Sequence, residues 1–171
     1  MNATFDIGPR AKADEAPADQ RPLTRDLLRL VEQSVWANLQ WVKFVYSQAD
    51  PDVRPRELLA HLMVAERVWF ERIEGQQKTT TTFLLMSEDD LIRGFTENAE
   101  TCRRLISSHL EDVVDFRRGT GEAYHAQVVD IMYHLFTHGY HHRGQLAAHF
   151  ARSGTKYPST DHIDFLIANR L

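Results

Sequence analysis

The sequence predicts an all-α protein, a four-helix bundle with a small irregular or hairpin segment before the last long helix. Four long segments repeat apolar residues at three- and four-residue spacing, which is the period of an amphipathic helix. The connections between these segments are short to medium in length, as they are in helical bundles. A chain of 171 residues is long enough for one domain with a sizeable core.

The N-terminal part divides into a tail and the first helix. Residues 1–22 hold three prolines among small and charged residues, so we expect a disordered or loosely attached tail before a bundle domain at 23–171. Thr24 is a suitable N-cap residue, and helix one is expected to run from there to about Ala49. Asp50-Pro51 then interrupts the helical pattern.

The second and third helices are predicted from their terminal residues. Helix two is expected from about Pro55, a proline suited to a first turn, to just before Gly75. The threonine-rich segment 76–82 is predicted to be a polar loop. Helix three should begin at Ser87, where acidic residues follow a capping serine, and should end near Leu110.

The C-terminal third contains the hairpin candidate and the fourth helix. Valine-rich sequence before Gly119-Thr120-Gly121 makes residues 113–127 a small hairpin or a long loop. Helix four is expected from Val128 to Ser153, with Gly154 as its C-terminal stop. Residues 163–169 are predicted to form a short last helix.

Composition excludes several classes of partner. The net charge of -4 gives no support for binding to nucleic acid or to an anionic membrane surface. No apolar run approaches the roughly 20 residues of a membrane helix, and the N-terminus has no apolar core of a secretory signal. The single cysteine, Cys102, excludes an intrachain disulfide. We therefore predict a cytoplasmic protein with no nucleic-acid or membrane partner.

Five of the nine histidines lie between His134 and His149, on helix four. His138 and His142 are four residues apart, so their imidazoles rise from the same face, within about 40° of each other on the apolar stripe. Two neutral imidazoles on one rigid helix suit a transition metal. The alternative is a hydrogen-bonded core pair. His134 and His141 fall on the flank of the stripe, and His149 lies on the stripe where packing explains it.

His61 on helix two is the best third ligand. It shares a face with Leu58, Ala65 and Val68, so it also projects from a core-facing stripe. Three imidazoles would leave a coordination position for water or substrate, as in catalytic sites. Zinc, nickel and iron all accept such a set.

Four motifs resemble those of the DinB-like family, also called YfiT-like or damage-inducible. They are Trp36-Ala37-Asn38 on helix one, His61-Leu62…Ala65-Glu66-Arg67-Val68-Trp69 with Gly75, His134-Leu135-Phe136-Thr137-His138…His142-Arg143-Gly144-Gln145, and the run from Gly154 through Pro158 and Asp161 to Phe165-Leu166. Together the motifs cover most of the chain after the tail and occur in the family's order.

The resemblance implies a four-helix bundle, often a homodimer, with one divalent metal held by His61, His138 and His142. Some relatives are transferases that use low-molecular-weight thiols such as bacillithiol or mycothiol. A mycothiol-dependent maleylpyruvate isomerase is also related, but its middle ligand resembles a glutamate, and His138 departs from that pattern. The expected cofactors are therefore zinc or nickel, with iron as a third choice, and a low-molecular-weight thiol.

Two classes of function follow from these residues. In an enzyme, a cation would stabilise the thiolate of a small thiol for attack on an electrophilic small-molecule substrate, or would activate water for hydrolysis. In a non-catalytic metal-binding or stress-response protein, the site would be structural or sensory. Cys102 is a poor nucleophile candidate. Glu66 is expected to be a solvated or hydrogen-bonded surface group, and Arg143 and Gln145 are expected to cap, to pack or to bond to a neighbouring helix.

Overall fold

The computed structural model describes residues 21–49, 52–76, 85–117 and 120–170. The elements in these ranges are α1 (Pro22–Ser47), α2 (Arg54–Ile73), α3 (Glu88–His109), β1 (Val113–Arg117), β2 (Ala123–Gln127), α4 (Val128–Arg152) and α5 (His162–Asn169). Helices α1 to α4 pack together, and α5 lies against α1. The predicted all-α bundle with a hairpin before its last long helix is confirmed. None of the described helices is long and apolar enough to span a membrane.

The start of α1 differs from the prediction. The helix begins at Pro22, with Arg21 in an extended N-cap conformation, and Thr24 is buried inside the first turn rather than capping it. A proline has its φ fixed near the helical value and lacks an N–H that would need a partner, so it is well suited to this position. The helix ends at Ser47, two residues sooner than predicted. Of the tail predicted at 1–22, residues 1–20 lie outside the described residues, and Pro22 belongs to α1 instead.

The later boundaries agree closely with the sequence pattern. Ser87 caps α3, its hydroxyl oxygen accepting a hydrogen bond from the backbone N–H of Asp90 at 3.2 Å. Segment 113–127 is an antiparallel hairpin rather than a long loop. Gly154 follows α4 with φ +70°, a left-handed conformation that favours glycine at a helix end. Of the predicted polar loop, only Gln76 is described.

Two apolar clusters, separated by a layer of polar side chains, form the core. One cluster lies toward the hairpin and includes Leu27, Val31, Phe70, Cys102, Ile106, Met132 and Leu135. The other includes Trp41, Val45, Leu59, Met63, Phe95, Leu146 and Phe150. Between its contributions to the two clusters, each of the four long helices carries at least one polar residue, and four of these residues lie together or bond to one another. We call these four residues the polar layer: Asn38, Glu66, Asn98 and Arg143.

Candidate metal centre

Helices α2 and α4 bring three imidazoles to one point. His61 comes from α2, and His138 and His142 come from successive turns of α4. One nitrogen from each ring lies within 4.8 Å of the other two. The ring centroid of His61 is 4.7 Å from that of His142 and 5.3 Å from that of His138. The structure therefore brings together the three residues predicted as ligands; we call them the histidine cluster.

The position of the cluster follows from the apolar pattern of α4. Leu135 belongs to the hairpin-side core, and Leu146 to the opposite core. His138 and His142 occupy the interval between them on the side of α2. His142 is 9% exposed, whereas His61 and His138 are partly exposed. The cluster is thus anchored in the bundle but reaches its surface.

Gln145 determines which nitrogen of His142 carries the proton. Nδ1 of His142 lies 2.9 Å from Oε1 of Gln145, and Nε2 of the same amide lies 3.0 Å from Nε2 of His141. An amide oxygen only accepts, so His142 donates its Nδ1–H and keeps a lone pair on Nε2. That lone pair points toward Nε2 of His138, 3.0 Å away. A partner that fixes the tautomer in this way is typical of histidines that bind metals.

The electrostatics of the cluster favour neutral rings. Burial, followed by the neighbouring histidines, lowers the pKa of His138 to about 4. Burial also lowers the pKa of His142. Metal binding requires deprotonated imidazole nitrogens, so the lowered pKa values of His138 and His142 favour the form that binds a metal.

The donor set fits a divalent transition metal. Imidazole nitrogens bind zinc at about 2.1 Å, so two nitrogens on one ion are at most about 4.2 Å apart. The 3.0 Å between the Nε2 atoms of His138 and His142 is within that limit, whereas the three nitrogens together are spread over up to 4.8 Å, so a bound ion would draw the rings slightly closer together. In the described part of the chain, no fourth histidine, cysteine or carboxylate joins the group. The cluster could therefore hold an ion and leave part of its coordination sphere open.

Of the other histidines of α4, His134 and His141 lie beside the cluster. His134 is exposed, and its ring is 5.5 Å from the rings of both His138 and Trp69. His141 is exposed and contacts the Gln145 amide. His149 lies two turns further along α4, where it packs edge-on against Phe150 and its Nδ1 lies 3.7 Å from Oδ2 of Asp52.

The hydrogen bonds that join the residues of the polar layer were not predicted from the sequence. The Glu66 carboxylate accepts hydrogen bonds from Nδ2 of Asn98 at 3.0 Å and from Nδ2 of Asn38 at 3.4 Å. Arg143, only 4% exposed, donates from Nη1 to Oδ1 of Asn38 at 2.8 Å. Gly139 makes room for this guanidinium, because a Cβ there would lie 2.9 Å from Nη1.

The surroundings of Glu66 differ from those of a solvated surface acid. Burial raises the pKa of Glu66 to about 7, although the two asparagines and Arg143 act in the opposite direction. A cavity of about 20 Å³ adjoins the carboxylate, enough for about one water molecule. The sequence offered one clue, because each residue interrupts an apolar stripe: Glu66 lies four residues from both Leu62 and Phe70, and Arg143 lies seven residues from both Phe136 and Phe150.

Cys102 has the surroundings of a core residue. Its thiol is buried, and Sγ lies 3.6 Å from Sδ of Met132. Burial raises the pKa of the Cys102 thiol far above its usual range. A thiol that remains protonated is a weak nucleophile. The geometry agrees with the prediction that Cys102 is a poor nucleophile.

Comparison with known proteins identifies the family. The model of the DinB family matches residues 27–169, which include all four long helices from the second turn of α1 onward, the histidine cluster and the polar layer. The comparison with curated proteins gave no match. The comparison with solved structures gave none either. A family match over this much of the sequence means that the chain belongs to the DinB family.

Proposed function

We propose that the protein holds one divalent transition metal through His61, His138 and His142 and acts as a metal-dependent enzyme on a small electrophile. The observation behind the proposal is the convergence of three imidazoles without a fourth metal-binding side chain among the described residues. Structural zinc sites are usually closed by four protein ligands, whereas catalytic sites keep one position open. Zinc or nickel is the first choice and iron the next.

The chain's own residues would prepare the site for this chemistry. A divalent cation bound here would lower the pKa of a coordinated thiol or water and supply a nucleophile at neutral pH. Gln145 would keep Nε2 of His142 available for the cation. His134 is neutral at pH 7, since burial lowers its pKa, and it lies next to His138. It is therefore placed to accept the proton that the nucleophile loses.

Thiol transfer is the reaction that we place first. The DinB family, some of whose members resemble thiol-dependent transferases, is matched over both helices that bear the histidine cluster, and the chain's own thiol is buried in the core. The nucleophile would then be a low-molecular-weight thiol that arrives as a cofactor. We also propose a homodimer, from the resemblance alone. A solution mass of one chain at micromolar concentration would contradict the dimer.

Elemental analysis of the purified protein tests the proposed centre. We expect one transition metal per chain in the wild type and none in the variants His61→Ala, His138→Ala and His142→Ala, with helical circular dichroism retained. His125→Ala is the matched control, since it removes an exposed imidazole from the hairpin and should keep the metal. Full metal content in His138→Ala would refute the ligand assignment.

Product analysis then tests the reaction. The loaded protein would be incubated with monochlorobimane and either bacillithiol, mycothiol or glutathione. We expect faster formation of the thiol adduct than with His142→Ala. Hydrolysed electrophile in place of the adduct would assign the nucleophile to water. No acceleration of either reaction by a fully loaded protein would count against the enzyme.

A further inference from the structure

A groove opens beside the histidine cluster, between α2, the hairpin and the start of α4. Its volume of about 550 Å³ is in the range of small-molecule sites. We call it the hairpin groove. Side chains on its walls include Trp69, Arg72, Phe116, Tyr124, Asp130 and His134.

The hairpin groove and the histidine cluster share a wall. His134 lines the groove, and its ring centroid lies 5.5 Å from that of Trp69 on one side and 5.5 Å from that of His138 on the other. A small molecule in the groove would therefore have one end next to the candidate metal centre.

Aromatic side chains from α2 and both strands surround the groove. The rings of Trp69 and Phe116 meet edge to face with centroids 4.9 Å apart. Phe116 lies nearly parallel to Tyr124 across the hairpin at 6.1 Å. Tyr124 is 42% exposed, so part of this apolar surface is open to solvent. Such faces favour a flat, apolar ligand, since aromatic pairs gain from stacking beyond the area that they bury.

One cation lies among these rings. The guanidinium carbon of Arg72 is 4.6 Å from the centroid of Trp69 and 5.7 Å from that of Phe116. Among the described residues, Arg72 takes part in no ion pair, whereas Arg67 on the same helix pairs with Glu97 at 3.2 Å. A partly buried guanidinium without a carboxylate partner favours an anionic ligand group, which it can bind through two parallel hydrogen bonds.

We propose that the hairpin groove binds a planar aromatic carboxylate. Its ring would pack against Trp69 and Phe116, its carboxylate would pair with Arg72, and its other end would face His134 and the histidine cluster. Asp130, on the α4 wall, repels a carboxylate, so the charged end is held toward α2. The inference deepens the proposed function by naming a substrate class and rests on it for catalysis, but binding itself does not need the metal.

Calorimetric titration with naphthoate tests the groove in the full chain, with and without zinc. We expect saturable binding to the wild type that Arg72→Gln weakens about tenfold or more, the effect of losing a charged hydrogen bond. Arg72→Lys should retain more affinity than Arg72→Gln. Arg56→Gln is the matched control, because Arg56 also lies over an aromatic ring, that of Tyr46 at 5.1 Å, away from the groove. Asp130→Asn should bind naphthoate as tightly as the wild type or more tightly.

Several outcomes would overturn the inference. Equal affinity for naphthoate and uncharged naphthamide, or an unchanged affinity in Arg72→Gln, would remove the role of the cation. Tighter binding of naphthylmethylammonium than of naphthoate would reverse the assigned charge. In cobalt-loaded protein, saturating naphthoate should change the visible spectrum of the metal. An unchanged spectrum would refute the claim that a ligand in the groove lies next to the histidine cluster.

The two proposals can fail separately. If naphthoate binding depends on Arg72 but the protein binds no metal, the proposal for the groove is supported and the proposed metal centre is refuted. A metal lost in the histidine variants, together with no Arg72-dependent binding, would support the centre and refute the groove.

Discussion

Replacing Glu66 with glutamine is expected to change how the stability of the metal-free protein depends on pH. The carboxylate accepts hydrogen bonds from Asn38 and Asn98 inside the bundle, yet burial raises its pKa from 4.5 to about 7. The folded protein therefore keeps a proton on Glu66 at pH values where the unfolded chain has already released it.

The sign and size of the effect follow from these two pKa values. Below pH 4.5 both states are protonated, so the stability associated with the raised pKa is fully present. As the pH rises through about 7, the unfolded chain binds fewer protons than the folded protein, and the free energy of unfolding falls. The interval from 4.5 to about 7 corresponds to about 3 kcal/mol, at about 1.4 kcal/mol per pH unit.

Urea unfolding between pH 4.5 and pH 8 in the presence of a chelator measures this effect. We expect the wild type to lose about 3 kcal/mol relative to Glu66→Gln across this range. Subtracting the two curves cancels the titration of the histidines, which both proteins share. Glu97→Gln, an exposed acid on α3, should follow the wild type. Parallel curves for wild type and Glu66→Gln would refute the role of burial in raising this pKa.

Three further predictions concern α4 and its neighbour α1. Gln145→Ala should weaken zinc binding 10- to 100-fold in a chelator competition, whereas Gln145→Glu keeps an acceptor oxygen and should lose less. Gly139→Ala should be about 2 kcal/mol less stable to urea than Gly144→Ala, because only the first displaces the Arg143 guanidinium, which then loses a charged hydrogen bond; equal stabilities would contradict this. Asn38→Ala should also weaken zinc binding measurably in this competition, because Asn38 bonds to Arg143 on the helix that carries two of the histidines. Unchanged zinc affinity would show that the polar layer does not influence the metal centre.

The helices were predictable because their information is local. Apolar spacing located the long helices, and Ser87 and Gly154 marked ends that the structure confirms through a cap hydrogen bond and a positive φ. The predicted start of α1 was wrong because Thr24 and Pro22 are both acceptable residues near a helix start, and propensity alone does not choose between them.

Local sequence information predicted only part of the histidine cluster. The spacing of His138 and His142 places both rings on one face of α4. The meeting of His61 with them depends on α2 packing against α4, which periodicity within one helix does not specify. The core-facing stripe of α2 made His61 the best third ligand, and the family resemblance implied the same set of three before the structure brought them together. The hairpin groove could not be predicted from the sequence for the same reason, since Phe116 and Arg72 meet only through tertiary packing.

The histidine cluster and the polar layer depend on adjacent residues in the same two turns of α4. His138 and His142 face α2. One residue further along in each turn, Gly139 makes room for the guanidinium of Arg143, which bonds to Asn38 on α1. A rotation of α4 that changed one contact would therefore change the other. The layer includes an acid whose raised pKa lowers stability at neutral pH, and an apolar core would avoid that cost. A layer that fixes the rotation of α4, and with it the direction of the imidazoles, is a physical reason for a destabilising acid at this position.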